Sequence, residues 1–140
     1  MFSAVHGVRG VKDAQGEVIS LERCAQEKVF VVAGIGSFGG FKNTVKNLGC
    51  HILGQKEFSD HYHYSIKDLE VLGQVAKDLG CTSIITTEKD WTKISFLLSF
   101  YPNNELAKAV PWFMVSIGFQ FLIPEEEMIF FDLIKERLEL

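Results

Sequence analysis

The chain has 140 residues, enough for one domain with a continuous core, and its 47% apolar content with 12 phenylalanines excludes a disordered or low-complexity protein. A net charge of -4 with scattered basic residues excludes the clustered basic footprint that nucleic-acid binding requires. The three cysteines (Cys24, Cys50, Cys81) lack CxxC spacing and read as reduced cytoplasmic thiols, residues 1–10 lack a signal-peptide apolar stretch, and the longest apolar run, residues 112–123, is too short to span a bilayer.

In chain order, residues 3–11 and 17–21 favour strands around the turn-like Lys12-Asp13-Ala14-Gln15-Gly16. They predict a hairpin, or two strands that pair with something outside the chain. Residues 29–33 form a short run rich in β-branched side chains, as in a strand buried on both faces. Residues 34–40 break it, and Phe41, Thr44, Val45 and Leu48 then recur at helical spacing before Gly49. A second strand is predicted over residues 51–58, followed by a polar aromatic loop. Ser65 with Asp68 three residues on has the form of a capping box. Behind it Leu69, Leu72, Val75, Ala76 and Leu79 give the apolar face of a helix that stops at Gly80. Residues 82–86 predict a third strand, and Thr87 caps a helix through Trp91, Ile94 and Leu97. Residues 111–122 predict a longer fourth strand at or near a sheet edge. Glu125-Glu126-Glu127 opens a final helix with Lys135 and Arg137 in its last turns, the charge order that the helix dipole favours. Its Met128 to Ile134 stretch reads as core. So does the greasy segment Phe96-Leu97-Leu98 and Phe100-Tyr101, with lipid contact as its alternative.

Strands alternating with helices imply an α/β, Rossmann-like three-layer domain with a mainly parallel sheet and right-handed crossovers. Residues 29–140 make that domain, and residues 1–28 a β-rich hairpin or linker ahead of it. Ligands of such sheets collect at the carboxyl ends of the strands, which selects three loops: residues 34–40, 59–64 and 86–90.

Gly34-Ile35-Gly36-Ser37-Phe38-Gly39 is a literal GxGxxG between a strand and a helix, with Glu57 about where a ribose-binding acid would stand. Glycines there serve either a tight β–α turn or an amide cradle for a phosphate. Asp60-His61-Tyr62-His63-Tyr64 is the densest polar cluster. Its adjacent Asp and His have the makings of a base near neutral pH, and a metal reading would use Asp60, His61 and His63. The bland alternative is a surface loop whose tyrosines cover the sheet. In Thr86-Thr87-Glu88-Lys89-Asp90, capping accounts for Thr87 and Asp90 and the dipole for Glu88. Lys89 misfits a helix N-terminus, which suggests that it meets an anion or a carboxylate.

Three stretches together resemble one family, the tetraacyldisaccharide 4'-kinases. Ala33-Gly34-Ile35-Gly36 with Phe41 and Thr44 resembles its AGIGNP…F…T segment. Phe58-Ser59-Asp60-His61 with Tyr64 and Asp68-Leu69 resembles FxDHxxY…DL, and Thr86-Thr87-Glu88-Lys89-Asp90 with Lys93 resembles TTEKDxxK. The resemblance runs from about Val5 to the C-terminus. It departs at Ser37-Phe38, where the family has Asn-Pro, and the sequence contains no GxxxxGK[ST] phosphate loop.

The resemblance implies the C-terminal domain of an enzyme that phosphorylates the 4' position of the lipid A disaccharide precursor with ATP and Mg2+, both held by a preceding P-loop domain or chain. It implies His61 as the acid–base residue with Asp60 positioning it, and Thr87, Glu88, Lys89, Asp90, Gly34 and Gly36 as weaker candidates for substrate or nucleotide contact. It implies no metal ligands in this chain and a cytoplasmic location, peripheral at the bacterial inner membrane. Alternatives are a stand-alone nucleotide-binding module using Gly34, Gly36 and Gly39, or a degenerate domain whose unpaired lead strands bind another protein.

Overall fold

The computed structural model describes residues 4–121. It contains β1 (Ala4–Asp13), β2 (Val18–Ile19), α1 (Leu21–Cys24), β3 (Lys28–Ala33), α2 (Phe38–Asn47), β4 (His51–Glu57), α3 (Ile66–Asp78), β5 (Ser83–Thr87), α4 (Glu88–Leu98) and β6 (Trp112–Phe121). The six strands form one sheet in the order β2-β1-β6-β5-β3-β4. The pairings β3–β4, β3–β5 and β5–β6 are parallel, and β1–β2 is an antiparallel hairpin. The chain forms two compact units. One, Val11–Val115, contains every residue of the candidate site; the other takes in the outer part of β1 and of β6.

The element types follow from local chemistry. Residues 29–33 are buried without a break, as a strand covered on both faces must be. Alternation divides the central strands between two layers. Phe30, Val32, Ile84 and Trp112 pack with Leu69, Leu72 and Ala76 of α3 and Ile94 and Leu98 of α4. Helix α2 buries Phe38, Phe41 and Val45 and lies against β3 and β4. The result is the α/β three-layer architecture that the element order predicts. Ser65 caps α3 with a complete capping box: its hydroxyl accepts from Asp68 N–H, and the Asp68 carboxylate accepts from Ser65 N–H.

Several expectations are corrected. The strand near residue 111 is not at an edge, because β1 lies beside it opposite β5; the edge strands are β2 and β4. Of the lead strands, β1 therefore has partners within the chain on both sides, while β2 pairs with β1 and forms one edge of the sheet. Leu21, predicted to end a strand, instead opens a short helix, Leu21–Cys24, capped by Ser20. Helix α2 begins at Phe38, inside the break predicted over residues 34–40, and buries that side chain. On α3, Gly73 takes the buried place expected of Val75, while Val75 and Leu79 are exposed. A Cβ at Gly73 would collide with the carbonyl of Leu106, so a bare backbone there lets the 99–111 connection lie directly on the helix. Phe96 and Phe100 are not core: they are 68% and 64% exposed and stack edge-to-face on each other. The final helix and its Met128 to Ile134 core stretch lie outside the described residues.

Candidate functional site

The order β4-β3-β5 places the reversal of strand order between β3 and β5, so the region outside their carboxyl ends is where a doubly wound sheet offers a site. Three loops meet there. The β3–α2 turn supplies Gly34 and Gly36, the β4–α3 loop supplies residues 58–64, and the β5–α4 junction supplies Thr87, Glu88, Lys89 and Asp90.

The floor is the Asp90 carboxylate, 1% exposed. Gly34 N–H donates to both its oxygens at 3.2 Å, Tyr64 OH donates to Oδ1 at 3.0 Å, and Thr87 OH donates to Oδ2 at 2.6 Å. Thr87 also caps α4 by accepting from Asp90 N–H at 3.0 Å. Gly34 is required by close approach: a Cβ would lie 2.9 Å from the Ser59 carbonyl and 3.3 Å from Tyr62 Cβ. Burial, and then the neighbouring Asp90 charge, push the Tyr64 phenol well above its ordinary range, so it stays a proton donor.

Above this floor the 58–64 loop winds around its own aromatic rings. Phe58, Tyr62 and Tyr64 have centroids 4.5–5.2 Å apart. Tyr62 OH donates to Asp68 Oδ2 at 2.9 Å, and Lys93 Nζ donates to the Tyr62 carbonyl at 3.2 Å. The tyrosines are half-buried, while His61 and His63 are exposed.

His61 forms the apex with a left-handed backbone, φ 63°, which is unfavourable for a residue with a Cβ. That conformation brings its Nε2 to 3.8 Å from Asp60 Oδ2, so the two side chains do not diverge as an extended strand would make them. The separation is within ion-pair range but longer than a hydrogen bond. Lys89 Nζ stands 3.7 Å from Asp60 Oδ1, the carboxylate partner that its awkward place at the helix N-terminus suggested. Gly36 is nearby, with Asp60 Oδ2 3.7 Å from the place of a Cβ.

The structure thus gathers Gly34, Gly36, Asp60, His61, Thr87, Lys89 and Asp90 at the carboxyl ends of β3, β4 and β5. Glu88 lies at the start of α4, where its carbonyl accepts from Thr92 OH. Sequence reasoning missed two parts of the site. Tyr64, through Asp90, and Lys93, through the Tyr62 carbonyl, tie the end of the loop to α4, although both stand within the motifs that carry the family resemblance. Asp90 serves three loops rather than one cap.

The anion at Gly34 N–H is the protein's own Asp90 carboxylate, so that amide is not free for a pyrophosphate. Among the described residues no group of three His, Cys, Asp or Glu side chains is arranged to hold a metal ion. The site residues offer an exposed imidazole, His61, with an anionic neighbour, Asp60, and a cationic one, Lys89.

Residues 5–139 match the family described as tetraacyldisaccharide-1-P 4'-kinase. The tetraacyldisaccharide 4'-kinase of Rickettsia canadensis (strain McKiel) is 45% identical over 64 residues, which is 46% of this chain and 20% of that protein. That of Syntrophus aciditrophicus (strain SB) is 34% identical over 80 residues, 57% of this chain and 21% of that protein. The chain thus matches about a fifth of the length of these curated relatives. The crystal structure of the "apo" form of LpxK from Aquifex aeolicus in complex with ATP matches with a TM-score of 0.51 at 20% identity, over 86% of this chain and 31% of that one, a likeness of fold. With nearly its whole length inside one family match, the chain belongs to the tetraacyldisaccharide-1-P 4'-kinase family.

Proposed function

We propose that this chain supplies the acid–base segment of an ATP-dependent tetraacyldisaccharide 4'-kinase of lipid A biosynthesis. The observation that carries the reading is the exposed His61 beside Asp60 and Lys89 at the carboxyl ends of the parallel sheet. Phosphoryl transfer to an alcohol needs the hydroxyl proton to leave as the new P–O bond forms. His61 takes that proton from the 4'-hydroxyl. Its side chain is 73% exposed, so a sugar brought from outside the chain can reach it. Asp60, 3.8 Å from His61 Nε2, positions the ring, and Lys89 stands 3.7 Å from the other Asp60 oxygen.

ATP and Mg2+ are assigned to a P-loop domain or chain that works with this one. The sequence lacks a GxxxxGK[ST] loop to cradle the phosphates and hold the metal. Residues 1–28 are the linker toward that domain. Because the acceptor carries acyl chains, the pair works at the cytoplasmic face of the inner membrane. No helix among the described residues is long and apolar enough to cross a membrane, so the contact proposed is peripheral. The exposed Phe96–Phe100 pair is the apolar surface available for it.

The test combines this chain with the P-loop domain of a relative and measures transfer to a tetraacyldisaccharide. His61→Ala is expected to lower kcat by about a hundredfold or more. Transfer at the unsubstituted rate by that variant, or Mg2+-dependent ATP hydrolysis by this chain alone, would overturn the proposal.

A further inference from the structure

We infer that Asp90 is the positioning residue of this site: its buried carboxylate locks the three sheet-end loops together and so sets the conformation of the segment that carries Asp60 and His61. The catalytic consequence rests on the function proposed above; the conformational one does not.

Capping alone does not explain this side chain. Thr87 already caps α4 by accepting from Asp90 N–H, and that bond needs no carboxylate. The carboxylate instead accepts from Gly34 N–H, Tyr64 OH and Thr87 OH, one donor from each loop. A buried charge is normally offset by an opposite one. Here the two nearest lysines of the same helix are directed elsewhere, Lys89 to Asp60 and Lys93 to the Tyr62 carbonyl. Three neutral donors and the positive end of α4 hold the charge instead. With its oxygens occupied inside the protein and 1% of its surface exposed, Asp90 acts through its neighbours rather than on a ligand.

The route to His61 is short. Asp90 fixes the Gly34 amide, and the Ser59 carbonyl and Tyr62 Cβ rest directly on Gly34. Asp90 also fixes Tyr64, the far end of the same loop. Between those two anchors the chain reaches the left-handed conformation at His61, which persists only where the surroundings impose it.

The test uses this chain with Asp90→Asn and Tyr64→Phe, read by amide hydrogen exchange and NMR relaxation dispersion. In Asp90→Asn the Gly34 amide is expected to exchange at least about tenfold faster and residues 60–62 to broaden, while Leu69 and Ala76 stay within about twofold. Tyr64→Phe should loosen residues 60–62 and leave Gly34 protected, and it carries the test if the Asp90 variant does not fold. Uniform acceleration across the chain, or no change in the loop, overturns the inference. Combined with a P-loop domain, Asp90→Asn should lower kcat by roughly tenfold to a hundredfold with KM within about twofold, as misplacement of a reacting group does. If His61→Ala is inactive and Asp90→Asn keeps the full kcat, the positioning role fails and the kinase reading stands. If His61→Ala is fully active, the kinase reading fails and the loop measurements alone decide the role of Asp90.

Discussion

Thr86 Oγ1, at the end of β5, is a buried hydroxyl without a hydrogen-bond partner. Valine has the same shape, suits a strand equally well and removes the unsatisfied group. Thr86→Val is therefore expected to raise stability by about 1 kcal/mol, seen as a higher urea midpoint. A lower midpoint would mean that the hydroxyl is satisfied in solution. Its neighbours show what single residues reveal in sequence. Lys89 was legible because a cation at a helix N-terminus needs an explanation, and Asp60 supplies it. Asp90 was not, because its place three residues after Thr87 is fully explained by capping. Its other partners, Gly34 and Tyr64, are 56 and 26 residues away in the chain, where no local pattern reaches.

At the scale of elements, the two ends of the GxGxxG run separate into opposite roles. Gly34 lies under the Ser59 carbonyl, so Gly34→Ala is expected to destabilise by about 1–3 kcal/mol through overpacking against backbone. Gly39 lies in the first turn of α2 with nothing near the place of a Cβ, so Gly39→Ala should stabilise by about 0.5–1 kcal/mol. Chemical denaturation of both variants checks the pair, and equal effects would contradict the packing at Gly34. In sequence these glycines look like one motif, because spacing does not show where a helix begins. Elements whose signals are local were legible: strand β3 from its β-branched run, α3 from its capping box, and α4 from Thr87. The burial of Val75 and Leu79 was overestimated for a related reason. The apolar stripe of a helix is wider than the surface it covers, and the 99–111 connection packs on Gly73 instead.

For the molecule as a whole, the parallel α/β architecture was legible from the alternation of strands and helices, but the placement of β6 was not. An edge or interior position depends on pairing with β1, the first strand of the chain, and that is decided by topology rather than by local composition. Buried ionisable groups give the fold a common pH response. Burial raises Cys24 and Cys81, pushes Cys50 from 9.0 up to about 12, and raises Tyr64. In each case the folded state holds its proton more tightly than the unfolded one. Their contribution is thus fully present below the ordinary thiol value and is lost as pH rises toward the folded values. The urea midpoint should be level to about pH 8 and fall progressively from about pH 9 toward 12, and a midpoint that rose over that interval would contradict the sign.

The left-handed backbone of His61 has a consequence for how such a loop changes over time. Glycine would relax that backbone at no steric expense, and asparagine nearly so, but neither carries an imidazole. Drift toward a more comfortable loop therefore leads away from the proton acceptor. At this one position, selection for robustness and selection for chemistry pull the chain in opposite directions.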